Sequence, residues 1–295
     1  MIDTTDYHIP VLLDETLKAL AIKPKGLYFD VTFGGGGHST AILQKDPTVK
    51  VIGFDWDQHA LDHAQTIIDQ FDGRLEVIWS SFVHLYKQIK KHKLQQPDGI
   101  LADFGTSQFQ ISERDGFSVY NSTALDMRMS LSHFQVTAEH IVNQATEQEL
   151  CQIFWDFGQE RYAKKIVKKI IEVRQKTPIT TTTQLAKLVE SVVGRTERIH
   201  PATRIFQALR IAVNHELDNI ELFLPAAFQA LKPGGRLVCI TFHSLEDRIV
   251  KQFFRQKVAE GSAIAISKKA ITALPEELEN NKSARSAQLR VIEKK

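Results

Sequence analysis

The chain predicts an α/β fold, a Rossmann-like sheet carrying an inserted all-helical domain, and three observations carry that prediction. Strand-length apolar runs alternate with amphipathic helical stretches through roughly the first hundred residues, the rhythm of parallel βαβ units with helices on both faces of a sheet. The first run, Leu27–Thr32, empties into four consecutive glycines, Gly34 to Gly37, and a helical pattern follows in Ala41-Ile42-Leu43. Strand signals then stop after Asp103 and return only at Arg236-Leu237-Val238-Cys239-Ile240-Thr241-Phe242.

Taken in order, His8-Ile9-Pro10-Val11-Leu12-Leu13 leads into a helix pattern that stops near Pro24. Strand one covers Leu27–Thr32, and strand two runs Val51-Ile52-Gly53-Phe54 and ends on Asp55-Trp56-Asp57. Leu75-Glu76-Val77-Ile78-Trp79 makes the third, followed by Ser80-Ser81-Phe82; Pro97-Asp98-Gly99 turns into a fourth, Ile100-Leu101-Ala102, ending on Asp103. Residues 104–137 are polar and turn-rich, and about seventy residues of helical signal follow. Thr146-Glu147-Gln148-Glu149 is a capping-box pattern ahead of Leu150, and Thr181-Thr182-Thr183-Gln184 is a second cap. Tyr162, Ile166, Ile170 and Val173 recur at helical spacing, with Lys164, Lys165, Lys168 and Lys169 largely off that stripe. Pro201 suits the first turn of a further helix. The Leu231-Lys232-Pro233-Gly234-Gly235 turn feeds the late strand, a last short strand is expected over Gln288–Ile292, and 257–287 reads as loosely structured. The expected division is 1–107 for the first part of the sheet domain, 108–210 for the helical insertion and 211–295 for the completing part.

At 295 residues, with 43% hydrophobic and 24% charged residues, the chain has ample material for a packed core. The start, Met1-Ile2-Asp3-Thr4-Thr5-Asp6, lacks the basic and apolar regions of a signal peptide, and no apolar run is long enough to span a bilayer. Cys151 and Cys239 sit in apolar segments and read as buried, reduced thiols, which points to the cytoplasm. A net charge of +2 neither demands nor excludes a nucleic-acid partner, so local basic clusters matter more than the total.

The glycine turn narrows the ligand. A dinucleotide fingerprint needs glycine at the first, third and sixth positions, but the sixth from Gly34 is Ser39 and from Gly35 is Thr40. No Gly-Lys-Ser/Thr follows, so a phosphate-cradling loop loses support as well. The pattern that remains is a class I S-adenosylmethionine methyltransferase. There the turn hugs the methionine end of the cofactor, and Asp55, about twenty residues on, bonds the ribose hydroxyls. Phe82 covers the adenine and Asp103 closes the pocket. Each feature alone has a plainer explanation: a structural turn, a turn-forming Asp, a core Phe. Their order and spacing favour the donor pocket. The histidines lack metal-ligand spacing, so no metal is expected.

Beyond these generic features, the sequence resembles the bacterial RsmH (MraW) methyltransferase family, which N4-methylates a cytosine in the decoding region of small-subunit ribosomal RNA. The matching segments are His8 to Glu15, Thr32-Phe33-Gly34-Gly35-Gly36-Gly37-His38-Ser39, Leu125-Asp126-Met127-Arg128-Met129, His200-Pro201-Ala202-Thr203-Arg204 through Ile211, and Ser244-Leu245-Glu246-Asp247-Arg248 through Lys251. The resemblance implies S-adenosylmethionine as cofactor. It carries the cofactor roles to Gly35, Gly36, Gly37 and His38, to Asp55 and Phe82, and to Asp103 and Gln110. It also implies 16S rRNA within the small subunit as partner, no membrane, and a helical insertion that recognises substrate. A homodimer is the assembly left open. The chain departs from the family at Asp103-Phe104-Gly105-Thr106-Ser107-Gln108-Phe109-Gln110, where a Ser-Ser-Pro-Gln run is usual; the missing proline loosens the loop that holds Gln110. The second strand ends Asp55-Trp56-Asp57 in place of Asp-Arg-Asp, which keeps both acids, and the segment after Phe254 is short.

Methylation of a cytosine amine needs the nitrogen held in line with the methyl while acceptors take its N–H bonds, because its lone pair is delocalised into the ring. Asp103 and its loop are the candidate acceptors. Phe242 and His243 are candidates for positioning an unstacked base, against the plainer readings of core packing and a structural hydrogen bond. For RNA contact the candidates are Arg195, Arg198, His200, Arg204 and Arg210, of which Arg204 and Arg210 have a domain brace as alternative. Lys164, Lys165, Lys168 and Lys169 form a second group, against a solvated helix face. Asp126 and Arg128 read as a loop-ordering ion pair. The competing functions are a methyltransferase for another nucleic-acid amine, adenine N6, and a non-catalytic RNA-binding or ribosome-assembly factor.

Overall fold

The computed structural model describes residues 10–105, 115–194 and 200–295, the side chain of His59 excepted. It divides into two compact units, Met1–Gly105 with Leu217–Lys295, and Thr106–Glu216.

The first unit is built on seven strands: β1 Leu27–Asp30, β2 Lys50–Asp55, β3 Leu75–Trp79, β4 Gly99–Asp103, β5 Arg236–Thr241, β6 Ala263–Ala265 and β7 Gln288–Lys294. They lie in the order β3-β2-β1-β4-β5-β7-β6. β1 to β5 pair in parallel, with Phe29 opposite both Ile52 and Ile100, and β7 runs antiparallel to its neighbours β5 and β6. This is the expected Rossmann-like sheet. The strands are near-continuously apolar because side chains alternate between two buried faces. Tyr28, Val51, Leu101 and Val238 point to one face, where they meet helices α1 Leu13–Leu20, α2 Gly37–Lys45 and α3 Gln58–Ile68. Phe29, Ile52, Ile100 and Leu237 point to the other, under α4 Leu85–His92 and the two later helices Glu216–Ala230 and Ser244–Ala259.

The C-terminal stretch corrects one expectation. Residues 257–287 are ordered into the end of the Ser244–Ala259 helix, β6, a helix over Pro275–Asn280 and a 3-10 turn over Lys282–Ser286. Each piece is too short to show a periodic pattern, and its order comes from pairing with β7 and from side-chain caps such as Asn281 accepting the Ser283 N–H.

In the second unit, α5 Ala138–Gln144, α6 Glu147–Asp156, α7 Ala163–Arg174, α8 Thr182–Val193 and α9 Thr203–Asn214 close around Leu150, Phe154, Ile166, Ile170, Leu185 and Leu209. The caps at Thr146 and Thr181 are full capping boxes, each worth about 1 kcal/mol. Pro201 stands in the turn before α9, whose N-cap is Ala202, one step outside the expected first turn. Buried Asn214 at the end of α9 ties down the loop that precedes α5: its amide donates to the Met127 carbonyl at 2.8 Å and accepts the Met129 N–H at 2.7 Å. Arg128 and Asp126 form the bidentate pair expected of that loop, with both contacts at 2.7 Å. No described helix is long and apolar enough to cross a membrane.

The helices Glu216–Ala230, Ser244–Ala259 and Pro275–Asn280 are α10, α11 and α12 below.

Candidate active site

The strand order reverses direction between β1 and β4, so the C-terminal ends of β1, β2 and β4 open onto one crevice. Into it runs the glycine turn between β1 and α2. Thr32 and Gly34 tie the turn to both neighbouring strands. The Asp103 N–H donates to Thr32 Oγ1 at 2.7 Å, and the Gly34 N–H donates to Asp55 Oδ2 at 2.8 Å.

The glycines serve different ends. Gly34 has φ +52° and open space where a side chain would stand, its nearest neighbour being 3.9 Å away. Gly36 has φ +72°, and a Cβ there would lie 2.6 Å from Ile67 Cδ1; a Cβ on Gly37 would lie 2.4 Å from Pro10 Cγ. Protein packing alone therefore demands glycine at 36 and 37. The amides of Gly37 and His38 head α2, at the positive end of its dipole and without partners inside the helix. The His38 ring turns inward: Nε2 stands 3.0 Å from the Val11 carbonyl and the residue is buried. Its side chain fastens the segment before α1.

Asp55 ends β2 with both carboxylate oxygens engaged, Oδ2 by Gly34 and Oδ1 by the Asp57 N–H at 2.8 Å. Burial raises its pKa to about 6, against the lowering effect of those backbone bonds. The residue keeps a partly exposed edge. Asp30, at the end of β1, went unassigned in the sequence although it opens the motif. It is buried, accepts the Ser39 hydroxyl at 2.7 Å, and is likewise raised by burial, with the charge of Asp103 adding to the rise.

Asp103 Oδ1 accepts the Gly105 N–H at 3.1 Å. Beside it, Phe242 follows the end of β5; a Cβ on Gly105 would lie 2.5 Å from its ring, so Gly105 exists to let that ring in. His243 is the N-cap of α11, its Nδ1 receiving the Glu246 N–H at the long distance of 3.5 Å. Nε2 lies 3.0 Å from Glu246 Oε1 but out of hydrogen-bonding alignment. Buried Glu246, which the sequence reading did not single out, accepts the Phe242 N–H at 2.7 Å and the His243 N–H at 3.2 Å, fixing this corner. Phe82 joins Phe104 and Phe223 in an edge-to-face cluster, with centroids 5.7 and 5.3 Å from its own.

In the helical unit, Lys164, Lys165 and Lys168 project from the exposed face of α7, while Lys169 pairs with Glu172 at 3.0 Å. Arg210 is held by Glu216 in two contacts of 3.0 Å, and Arg204 reaches the Gln159 carbonyl at 3.4 Å. His200 accepts the Ala202 N–H at Nδ1, 3.1 Å, just ahead of α9. Gln110, Arg195 and Arg198 lie outside the described residues.

The arrangement gives two carboxylates flanking a helix N-terminus, over a glycine turn, with aromatic rings at either side. Proteins similar to this chain support the same direction. A ribosomal RNA small subunit methyltransferase H from Coprothermobacter proteolyticus is 43% identical over 295 residues, 98% of this chain and 97% of that protein. Proteins of the same name from Carboxydothermus hydrogenoformans and Trichodesmium erythraeum are 42% and 44% identical, each over 97% of this chain and over 97% and 99% of their own. The model of the MraW methylase family matches residues 5–295. By the extent of that match and the identity of these relatives, the chain belongs to the MraW methylase family.

Proposed function

We propose that the protein transfers the methyl group of S-adenosylmethionine to N4 of a cytidine in the decoding region of 16S ribosomal RNA. The observation that carries the donor half is the double tie of the glycine turn, to Asp55 through Gly34 and to Asp103 through Thr32. The acceptor half is supported by family membership and by the relatives' name as small-subunit rRNA methyltransferases.

The donor set suits the cofactor. Asp55 accepts from the backbone N–H groups of Gly34, Asp57 and Trp56, and the lone-pair capacity left on its partly exposed edge suits a ribose hydroxyl. The amides of Gly37 and His38 at the head of α2, with that of Gly35 in the turn before its cap, suit the carboxylate of the methionine end. Phe82, backed by Phe104 and Phe223, offers an apolar ring to the adenine, and Gln110 completes the pocket by family resemblance. The bound cofactor supplies a methyl already activated on a cationic sulfur. What remains for the chain is the nucleophile. Asp103 accepts an N–H of the cytosine amine, which lets the nitrogen pyramidalise and bring its lone pair forward, and it takes the proton the methylated nitrogen sheds. Phe242 walls the base, and His243 acts through the cap that holds Phe242. Residues 108–210 recognise the RNA, with Lys164, Lys165, Lys168, His200 and Arg204 toward phosphates; Arg210, paired with Glu216, serves the fold. Such a substrate puts the enzyme in the cytoplasm.

The test is incubation with methyl-labelled cofactor and undermethylated small subunits, followed by digestion to nucleosides. Label is expected in N4-methylcytidine. Label on adenine would give the enzyme a different acceptor, and absence of transfer despite cofactor binding would leave an RNA-binding or assembly factor.

A further inference from the structure

Among the described residues no large apolar side chain is more exposed than Tyr120, at 77%. Burial usually claims such a ring, and an exposed one that is also held in place has a surface to offer. Tyr120 is held. Its N–H and that of Asn121 both reach Ser118 Oγ, at 3.2 and 3.3 Å, and the Asn121 carbonyl accepts the Thr182 hydroxyl at the head of α8. The ring meets the imidazole of His200 edge to face, with centroids 5.5 Å apart and planes at 81°. His200 is itself fixed by the Ala202 N–H on its Nδ1 and by the Thr203 N–H on its carbonyl. Two loops of the helical unit thus present a rigid aromatic corner to solvent, with the exposed amide of Asn121 beside it.

The other exposed aromatics lack this combination. The Trp79 indole N–H donates to the Trp56 carbonyl and Tyr86 lies under Lys90. Trp155 stands on α6, whose charged residues are all acidic, a surface that repels RNA.

We infer that Tyr120, braced by His200, is a stacking platform for an unpaired nucleobase of the RNA substrate. Every base has a π-face, so such a platform binds single-stranded RNA without reading its sequence, and Asn121 can add a hydrogen bond to a base edge. The inference rests on the rRNA reading above, but it concerns binding and can be tested without turnover.

The experiment measures equilibrium binding of undermethylated small subunits to the full-length protein in the absence of cofactor, for wild type, Tyr120→Ala, Tyr120→Phe and His200→Ala. Cofactor affinity and melting temperature are measured in parallel. Removing one stacked base contact should weaken subunit binding by about 5- to 100-fold in Tyr120→Ala. Tyr120→Phe should restore wild-type binding, His200→Ala should fall between, and cofactor affinity and melting should not move. Unchanged subunit binding in Tyr120→Ala overturns the platform. So does failure of Tyr120→Phe to rescue, which would make the hydroxyl the contact, and so does a loss matched by a lower melting temperature. If wild type binds subunits through Tyr120 but transfers no methyl to cytidine, the platform stands and the proposed reaction falls.

Discussion

The Asp55 carboxylate sets a pH dependence of donor binding that the geometry fixes in sign. Burial raises its pKa to about 6 in the free protein, and a ribose diol donating two hydroxyls requires the ionised form. With that pKa, roughly nine tenths of the carboxylate is ionised near pH 7 and roughly a tenth near pH 5, so the affinity should fall about tenfold between them, or about 1.4 kcal/mol. Calorimetric titration at constant ionic strength reads it directly. Adenosine is the better probe, since it carries the ribose without the titrating amino-acid end of the cofactor. Asp55→Asn is the variant to set beside wild type: Ala would strand the Gly34 and Asp57 N–H groups, whereas Asn keeps an acceptor for one of them. The variant should bind weakly and show no slope. A flat wild-type profile, or an equal slope in Asp55→Asn, would refute the ribose assignment, and Asp30, the other raised carboxyl at this edge, would become the group to examine.

Other perturbations follow from the same geometry. Leu12 is fully buried at φ +53°, and its N–H donates to Glu277 Oε1 at 2.7 Å, so Glu277→Ala should cost about 1–3 kcal/mol in thermal unfolding, with Glu277→Gln recovering most of it. Gly36→Ala meets Ile67 and Phe33 and should destabilise by about 2 kcal/mol or more, while Gly34→Ala suffers only the backbone term of about 1 kcal/mol; equal melting points would contradict the division between packing and open glycines. Replacing Lys164, Lys165 and Lys168 together by Gln should flatten the salt dependence of subunit binding if they meet phosphates, by up to about three units of log–log slope, and leave it unchanged if the face is merely solvated.

The sheet and its ligand edge were legible because both are written in local pattern. Apolar runs buried on two faces, each ending on an acid, mark β2 and β4, and the caps at Thr146 and Thr181 are signatures four residues long. What stayed hidden depends on contacts across the chain. Nothing near Gly37 announces that Pro10 fills its side-chain space, and nothing near Leu12 announces Glu277, 265 residues away. His243, at the end of a late strand, carries two readings in the sequence, base positioning and a structural hydrogen bond; the Glu246 three positions on is the signal for the second, a capping box headed by an imidazole. The roles of Gly36 and His38 show the same limit, since a motif fixes which residue stands at a place without saying whether ligand or protein requires it.

Asp55 shows what that ambiguity means energetically. In the free protein its pKa is raised above the unfolded value, so its contribution to stability is complete below the unfolded pKa of 3.8 and is lost as pH rises through about 6. Near neutral pH the ionised carboxylate then costs the free fold up to about 3 kcal/mol, less whatever its exposed edge recovers through water. The Asn variant escapes that cost but leaves at least one of the Gly34 and Asp57 N–H groups without its acceptor, so its melting point relative to wild type should rise between about pH 5 and about pH 7.5, as the wild-type carboxyl loses its proton. The fold retains an acid there although the glycine turn needs only acceptors, which any carbonyl would provide. A buried charge whose oxygens are fixed by three backbone N–H groups is a site organised ahead of its ligand, and a hydroxyl that arrives is met by an acceptor whose desolvation occurred on folding.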